Sequence, residues 1–219
     1  MALDAAALAL CAKELSAALA DARIDKIFEP TRDEVVLNLR TRTDNPRLFL
    51  SARSGSARAC LTKETFENPQ TPPSFCMLLR KHFTGGRLLE VRTLPDERIL
   101  FFDFQCTNEM GDIVVNTMAA ELMGRYSNLV LVQTKNPANP AAEGKIIDAL
   151  KRVDFEDSEV RQLLPGLAYT LPPQPQKASF LGVSAAGIVA AVSQKELPVA
   201  EALIKTTGGV GPVVESISQ

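Results

Sequence analysis

The strongest constraint on the fold is the close spacing of short strand-like runs between tight polar turns. In the run 34–40, Val35, Leu37 and Leu39 alternate with less apolar neighbours, as expected for a half-buried strand. Runs this close together leave no room for crossover helices, which favours antiparallel pairing over β-α-β units. Similar runs lie at 23–29, 47–52, 58–62, 88–94, 98–106, 113–123, 128–133 and 145–153.

Two helices are predicted among these strands. The first covers residues 4–20, with Asp4 as its N-cap and leucines at helical spacing on one face. The second opens at Thr71, which can cap it, and ends at Gly85 and Gly86, because glycine readily takes the left-handed conformation of a helix C-cap. The pattern therefore predicts an α+β fold in which helices flank an antiparallel sheet.

A proline-rich segment, 165–177, predicts a linker, and the chain beyond it is alanine-rich and helical in pattern. We therefore predict one domain at 1–172, followed at 173–219 by a linker and the start of a helical domain. The glycine-rich turn 208–212 could present backbone N–H groups to a phosphate, or simply connect two helices. Because some 40 residues form a small core, we expect the chain to be a truncated piece of a longer protein.

Composition excludes several classes of protein. The chain has 219 residues, 46% of them hydrophobic, with no run of 18 apolar residues and no basic stretch at its N-terminus. We therefore expect a cytoplasmic protein that has no membrane partner. The single histidine, His82, makes a histidine-rich metal site improbable, and we expect no metal or other cofactor. The four cysteines form no C-x-x-C pair, so we predict reduced thiols at Cys11, Cys60, Cys76 and Cys106.

Positive charge is concentrated in the middle of the chain. The net charge is −2, yet residues 40–98 hold 11 basic and 6 acidic side chains, against 4 and 7 in 1–39 and 9 and 13 in 99–219. Most of these cations are arginines, whose planar fork of donors matches a phosphate group. Charge alone leaves two interpretations open, a phosphate-binding surface and a solvated face of the sheet.

Five sequence blocks, in the same order, resemble the NFACT family, which comprises RqcH/NEMF-type proteins and includes members formerly called fibronectin-binding protein A. The most characteristic block covers residues 57–88 and contains PPSFCMLLRKHFTGGR at 72–87, and a second reads AAELMGRYSNLVLV at 119–132. Blocks of this length are very improbable as chance matches. The remaining similar blocks lie at 1–40, 144–153 and 161–177.

The resemblance implies a fold similar to the N-terminal domain of formamidopyrimidine-DNA glycosylases: an antiparallel β-sandwich with flanking helices, followed by part of a helical hairpin domain. Those glycosylases use an N-terminal proline amine as nucleophile, with a glutamate beside it. This sequence has Ala2 and Leu3 instead, so we expect no catalytic residues and no enzymatic activity.

The function that the resemblance implies is RNA binding in ribosome quality control. Such factors bind a large ribosomal subunit that carries an obstructed peptidyl-tRNA. They recruit aminoacyl-tRNA, which is alanyl-tRNA in bacteria, for untemplated C-terminal tailing of the nascent chain. The alternatives are a fibronectin-binding adhesin, which the family's older name suggests, and a DNA-repair enzyme, which rests only on the likeness in fold.

The family has an Asp-Arg pair that it needs for tRNA binding. Arg98 matches the arginine of this pair, whereas the residue before it is Glu97 in place of the aspartate, with Asp96 one position earlier. We predict that Arg98 contacts a phosphate or a base edge, and that Glu97 orients it or accepts from a base amine. A salt bridge within the turn is the alternative.

Four further residues complete the predicted tRNA-binding set. Arg80 and Lys81, on the second helix, either follow a phosphate backbone or cover the core with their stems. Glu121 and Arg125 flank a hairpin turn, and Arg125 is the candidate there for contact with RNA, although the sequence also suits a tight turn.

Overall fold

The computed structural model describes residues 4–134, 144–173, 178–179, 184–193 and 199–208. Ala2, Leu3 and residues 209–212 of the glycine-rich turn lie outside the described residues. The helices are α1 (Ala5–Ala18), α2 (Ser74–Phe83), α3 (Ala185–Ser193) and α4 (Val199–Thr206). The strands are β1 (Arg23–Thr31), β2 (Glu34–Arg40), β3 (Arg47–Ser51), β4 (Arg58–Thr62), β5 (Arg87–Arg92), β6 (Ile99–Thr107), β7 (Ile113–Glu121), β8 (Asn128–Thr134), β9 (Lys145–Ala149), β10 (Ala178–Ser179) and β11 (Thr207–Gly208).

Nine strands form one antiparallel sheet in the order β4-β3-β2-β1-β5-β6-β7-β8-β9. Most neighbours in the sheet are also neighbours in the chain, as short connections require. The exception is β1 beside β5, where the Arg23–Arg87 pair joins the two halves of the sheet. The predicted α+β fold with an antiparallel sheet is confirmed. In the C-terminal part, β10 pairs with β11 in parallel.

Both halves of the sheet pack on one hydrophobic core. That core joins Leu8 of α1 and Leu79 of α2 to Leu37 of β2 and Phe102 of β6. The sheet therefore curls around the two helices. Beyond β9, the Lys151 ammonium donates to the carbonyl of Ala52 at 2.7 Å and lies 2.9 Å from Asp33, so the far end of the sheet meets the β1–β3 region.

The outer face of β6–β9 is also buried, because the segment 150–171 folds back over it. Ile99, Phe101 and Tyr169 belong to a second hydrophobic cluster there, and Tyr169 is fully buried. The interpretation of 165–177 as a linker was thus wrong for its first part. Tyr169 N–H donates to the carbonyl of Gly144 at 2.8 Å, so this part packs against the sheet.

The predicted helix ends are largely confirmed. The Asp4 carboxylate accepts from Ala7 N–H at 2.8 Å and caps α1. The cap predicted at Thr71 was wrong: α2 begins at Ser74, and the extended Pro73 precedes it without a side-chain cap. A proline there loses no hydrogen bond, because the first N–H groups of a helix have no partner within it. Gly85, at φ 78°, follows the end of α2 as predicted.

A buried ion pair fixes the register of the middle strands. Asp103 of β6 is fully buried and accepts from Arg92 of β5 at 2.5 and 3.1 Å. Thr117 of β7 donates to the same carboxylate at 2.5 Å and contacts Thr134 of β8 at 2.8 Å. The network thus spans four adjacent strands and satisfies a charge that the core would otherwise strongly disfavour.

Replacing Arg92 with alanine should leave the Asp103 carboxylate buried without its counter-ion. We expect Arg92→Ala to lower the free energy of unfolding by about 3–5 kcal/mol, measured by urea denaturation. The matched control is Arg32→Ala, whose side chain is 95% exposed in its pair with Asp33 and should matter little. Equal losses for the two variants would show that the buried pair does not hold these strands together.

Candidate nucleic-acid interface

A cleft of about 680 Å³ opens where the β6–β7 end of the sheet, the β7–β8 turn and the returning segment 151–163 meet. We call it the Arg98 cleft. Its charged lining residues are mostly basic: five basic side chains stand against two acidic ones, Glu121 and Asp157. The basic residues are Arg98, Arg125, Lys151, Arg152 and Arg161.

Arg98 stands just after the turn that joins β5 to β6. Asp96 takes a left-handed conformation in that turn, at φ 61°, which aspartate tolerates better than most residues. The Arg98 carbonyl accepts from Leu122 N–H at 2.8 Å, so its backbone is held against β7. The Arg98 side chain lines the cleft, and among the described residues its guanidinium makes no hydrogen bond or ion pair.

Glu97 differs from its neighbour because it is buried, only 6% exposed. The pKa of Tyr169 is raised mainly by burial and by the charge of Glu121, and the charge of Glu97 adds to this shift. Burial favours the first of its two predicted roles, orienting the turn that carries Arg98. A contact between Glu97 and a base amine stays a prediction.

Glu121 lies beneath the cleft in a fully paired cluster. Its carboxylate accepts from the Arg161 guanidinium at 2.6 and 3.0 Å and from the Tyr169 hydroxyl at 2.8 Å. Burial, followed by the charge of Glu121, raises the pKa of Tyr169 well above its ordinary value. A direct RNA contact by Glu121, which we predicted from the sequence, is not supported because its side chain is 1% exposed. Its role is to anchor the segment that carries Arg161.

Arg125 and Tyr126 form an exposed pair on the rim of the cleft. An Arg125 Nη donates to the Tyr126 hydroxyl at 2.6 Å, and the guanidinium lies 4.7 Å from the ring centroid. Tyr126 is 67% exposed, which is unusual for a large aromatic side chain. The turn beneath them is fixed by Ser127, whose hydroxyl donates to Gly124 O at 2.7 Å and accepts from Met123 N–H at 2.9 Å. The rim thus presents a cation and an aromatic ring together.

Sequence reasoning missed the opposite wall, which Lys151 and Arg152 form. We predicted a strand that continues to 153, but β9 ends at Ala149. Asn128 then holds the chain by donating to Lys151 O at 2.7 Å and accepting from Lys151 N–H at 3.0 Å. The Arg152 side chain is 57% exposed and pairs with buried Asp148 at 2.8 Å, a hydrogen bond that raises the pKa of Arg152. The only sign of this wall in the sequence was the pair of adjacent basic residues, Lys151 and Arg152.

Arg80 and Lys81 do not line the Arg98 cleft. Arg80 Nε donates to the carbonyl of Ile27 at 2.9 Å, and Lys81 pairs with Glu109 at 3.0 Å. Both cover neighbouring elements, which fits the alternative that we had left open for α2. A role in RNA binding stays a prediction for them.

The arginines of the middle third do not form one continuous surface. Arg92 pairs with the buried Asp103, whereas Arg53 pairs with Glu34 at 3.1 Å. Arg58 lies over the ring of Phe49, 5.0 Å from its centroid. The basic residues are close together in the chain but dispersed over the structure, because successive side chains along a strand point to opposite faces of the sheet.

Three general features complete the description. Within the described ranges, no group of three or more His, Cys, Asp or Glu side chains is placed to hold a metal ion, and no helix is long and apolar enough to cross a membrane. All four cysteines are free thiols, as predicted. Burial raises the pKa of Cys106 to about 11, so its thiol is unreactive at neutral pH.

Comparison with known proteins supports the family resemblance. The family model described as NFACT N-terminal and middle domains matches residues 4–216. Proteins named Rqc2 homolog RqcH are 36% identical over 200 residues in Bacillus subtilis and 38% identical over 184 residues in Streptococcus suis. These matches cover 91% and 84% of this chain but only 34% and 32% of the relatives, so the chain spans about a third of their length.

Solved structures with the same fold carry different names. The N-terminal part of the fibronectin/fibrinogen-binding protein of Streptococcus suis superposes with a TM-score of 0.82 at 36% identity, covering 95% of this chain and 75% of that one. The N-terminal domain of fibronectin-binding protein PavA of Streptococcus pneumoniae gives 0.81 at 31% identity, covering 98% and 85%.

The buried Tyr169 should make the fold sensitive to alkali. Its pKa lies above the ordinary value of 10.0, so above that pH the unfolded chain loses a proton that the folded chain retains, and the free energy of unfolding falls. The chain has two tyrosines, so Tyr126→Phe isolates Tyr169. We expect phenolate absorbance in that variant to rise only together with unfolding, as followed by circular dichroism. Phenolate formation in protein that is still folded would contradict the assignment.

Proposed function

The chain belongs to the NFACT family, and on that premise we propose that it is the RNA-binding module of a cytoplasmic ribosome quality-control factor. In this proposal the full protein binds a large ribosomal subunit that carries an obstructed peptidyl-tRNA. It then recruits aminoacyl-tRNA, alanyl-tRNA in bacteria, for untemplated C-terminal tailing. The name shared by the Bacillus and Streptococcus relatives supports this choice.

The observation that carries the proposal is the Arg98 cleft. It brings the guanidinium of Arg98 together with the exposed ring of Tyr126 and the basic side chains of Arg125 and Arg152. Arginine binds phosphate or the edge of a guanine through two parallel hydrogen bonds. Aromatic rings stack on unpaired bases, which is how proteins usually recognise RNA loops and ends. Cation and ring together suit an unpaired stretch of RNA better than a regular duplex.

We propose that the module positions its RNA ligand and catalyses no reaction. The Ser127 hydroxyl, a potential nucleophile in the cleft, donates instead to the carbonyl of Gly124 at 2.7 Å. Peptide-bond formation then belongs to the ribosome. If this is correct, the protein leaves abasic-site DNA uncut and forms no borohydride-trapped adduct with it.

The alternative, binding of fibronectin, is favoured only by the names of the structural relatives. Fractionation of the native protein separates the two functions. Recovery with ribosomes supports the quality-control role, whereas recovery at the cell surface supports the adhesin.

Replacing Arg98 with alanine should weaken tRNA binding. Loss of a charged hydrogen-bonding partner costs about 1.5–3 kcal/mol, which corresponds to roughly a 10- to 100-fold rise in Kd. Affinity should be measured over a series of salt concentrations, since each lost phosphate contact also lowers the salt dependence. Arg32→Ala removes the same charge at an exposed site outside the cleft and serves as the control. Unchanged affinity for Arg98→Ala at every salt concentration would refute the site.

Tyr126 tests stacking separately from charge. We expect Tyr126→Ala to weaken RNA binding by about 1–3 kcal/mol without changing its salt dependence, because no charge is removed. Tyr126→Phe keeps the ring and should bind nearly as well as the unchanged protein. If phenylalanine is as damaging as alanine, the hydroxyl bonded to Arg125 matters rather than the stacking surface.

A further inference from the structure

A second basic groove, of about 440 Å³, lies at the seam between the two halves of the sheet. It shares no lining residue with the Arg98 cleft. Each of its lining residues is polar, and most of them are arginines. We call it the Arg40 groove, and its lining residues are Asp21, Arg23, Arg40, Thr41, Arg42 and Arg87.

Three of these arginines occupy one row across three adjacent strands. Arg23 of β1 is the direct partner of Arg40 in β2 and of Arg87 in β5. Directly opposite residues in a sheet point to the same face, with their Cβ atoms about 4.5–5.5 Å apart. Like charges in such positions destabilise a sheet. The fold therefore holds a repulsive row at the pair that joins its two halves.

Among the described residues, few groups neutralise this charge. Arg87 lies 3.0 Å from the Asp21 carboxylate and also donates to Gln105 at 2.9 Å. Arg23 makes one long contact, 3.5 Å, with the carbonyl of Gly85. Arg40 and Arg42 are exposed, and among the described residues their guanidinium groups make no hydrogen bond or ion pair.

One other acidic residue, Asp44, lies near these arginines, in the turn between β2 and β3. The Asp44 carboxylate accepts from Asn45 N–H at 2.7 Å, and Asp44 does not line the groove. Four arginines therefore face a single carboxylate, that of Asp21.

We propose that the Arg40 groove binds the phosphodiester backbone of RNA, as a second contact separate from the Arg98 cleft. Neighbouring strands lie about 4.8 Å apart, so the backbones of Arg40 and Arg87 are separated by roughly 10 Å. Four arginines against one carboxylate leave a formal excess of three positive charges, which is more than the charge of one phosphate group, whereas consecutive phosphates of a nucleic acid can match it. A groove without apolar lining also lacks the hydrophobic centre of a protein–protein interface. The proposal rests on the proposed function only in its choice of RNA as the polyanion.

The test uses the whole chain carrying the double substitution Arg40→Gln with Arg42→Gln, which removes the two exposed guanidinium groups at the end of β2. The control, Arg32→Gln with Lys63→Gln, removes the same charge at exposed residues outside the groove. The probes are tRNA and a single-stranded RNA oligonucleotide at several salt concentrations. We expect the groove variant to bind more weakly than the control, and its salt slope to fall by about 1.4, from roughly 0.7 for each lost phosphate contact.

Stability provides a second readout. Because Arg40→Gln removes one of three adjacent like charges, we expect its melting temperature to equal or exceed that of the unchanged protein without RNA. A clear loss of stability would show that the row serves the fold and would overturn the proposal. Inorganic phosphate is a further probe: if it stabilises the protein through Arg40 while RNA affinity stays unchanged in the double variant, the groove takes free phosphate instead.

The outcomes separate this proposal from the proposed function. If Arg98→Ala weakens RNA binding but the groove variant behaves like its control, only the Arg40 groove is refuted. If the groove variant alone is weakened, the groove stands and the Arg98 cleft is misassigned. If the unchanged chain binds neither RNA probe, both proposals fail.

Discussion

The buried contact between Glu121, Arg161 and Tyr169 is the interaction on which the candidate site depends. It fastens the returning segment 150–171 to the outer face of the sheet, which the second hydrophobic cluster then seals. Removing any partner would leave a buried charge or hydroxyl without a counterpart, a costly arrangement in a low-dielectric interior. Without this fastening, the stretch that carries Arg161 would lose its hold on the sheet, and the cleft would lose that part of its lining.

Much of the fold could be predicted because local signals agreed with the tertiary structure. The alternating run of β2 and the short run of β4 were predicted with the bounds that the structure has, and Asp4 caps α1 as expected. The predictions from sequence were wrong where tertiary packing determines the conformation of a segment. Tyr169 lies in a proline-rich stretch typical of linkers, yet it is buried because the sheet beneath it exposes an apolar second face.

The site was predictable only in part, for a similar reason. Arg98 and Arg125 were named from sequence motifs, and the structure brings them into one cleft. Sequence alone could not show that Glu121 points inward, since a carboxylate at the end of a strand is usually solvated. Nor could it place Lys151 and Arg152, whose position depends on where β9 stops. The Arg40 groove likewise needs the register of three strands, one of which, β5, is distant in the chain from the other two.

The central claim is that this module holds RNA through the Arg98 cleft, and crosslinking tests it most directly. The full-length protein would be irradiated in cells, and both the attached RNAs and the attached peptides would be sequenced. The account predicts tRNA and large-subunit ribosomal RNA among the RNAs, with crosslinks on peptides that contain Arg98, Tyr126 or Arg152. Recovery without enrichment of tRNA, or with crosslinks only on peptides outside the cleft, would contradict it.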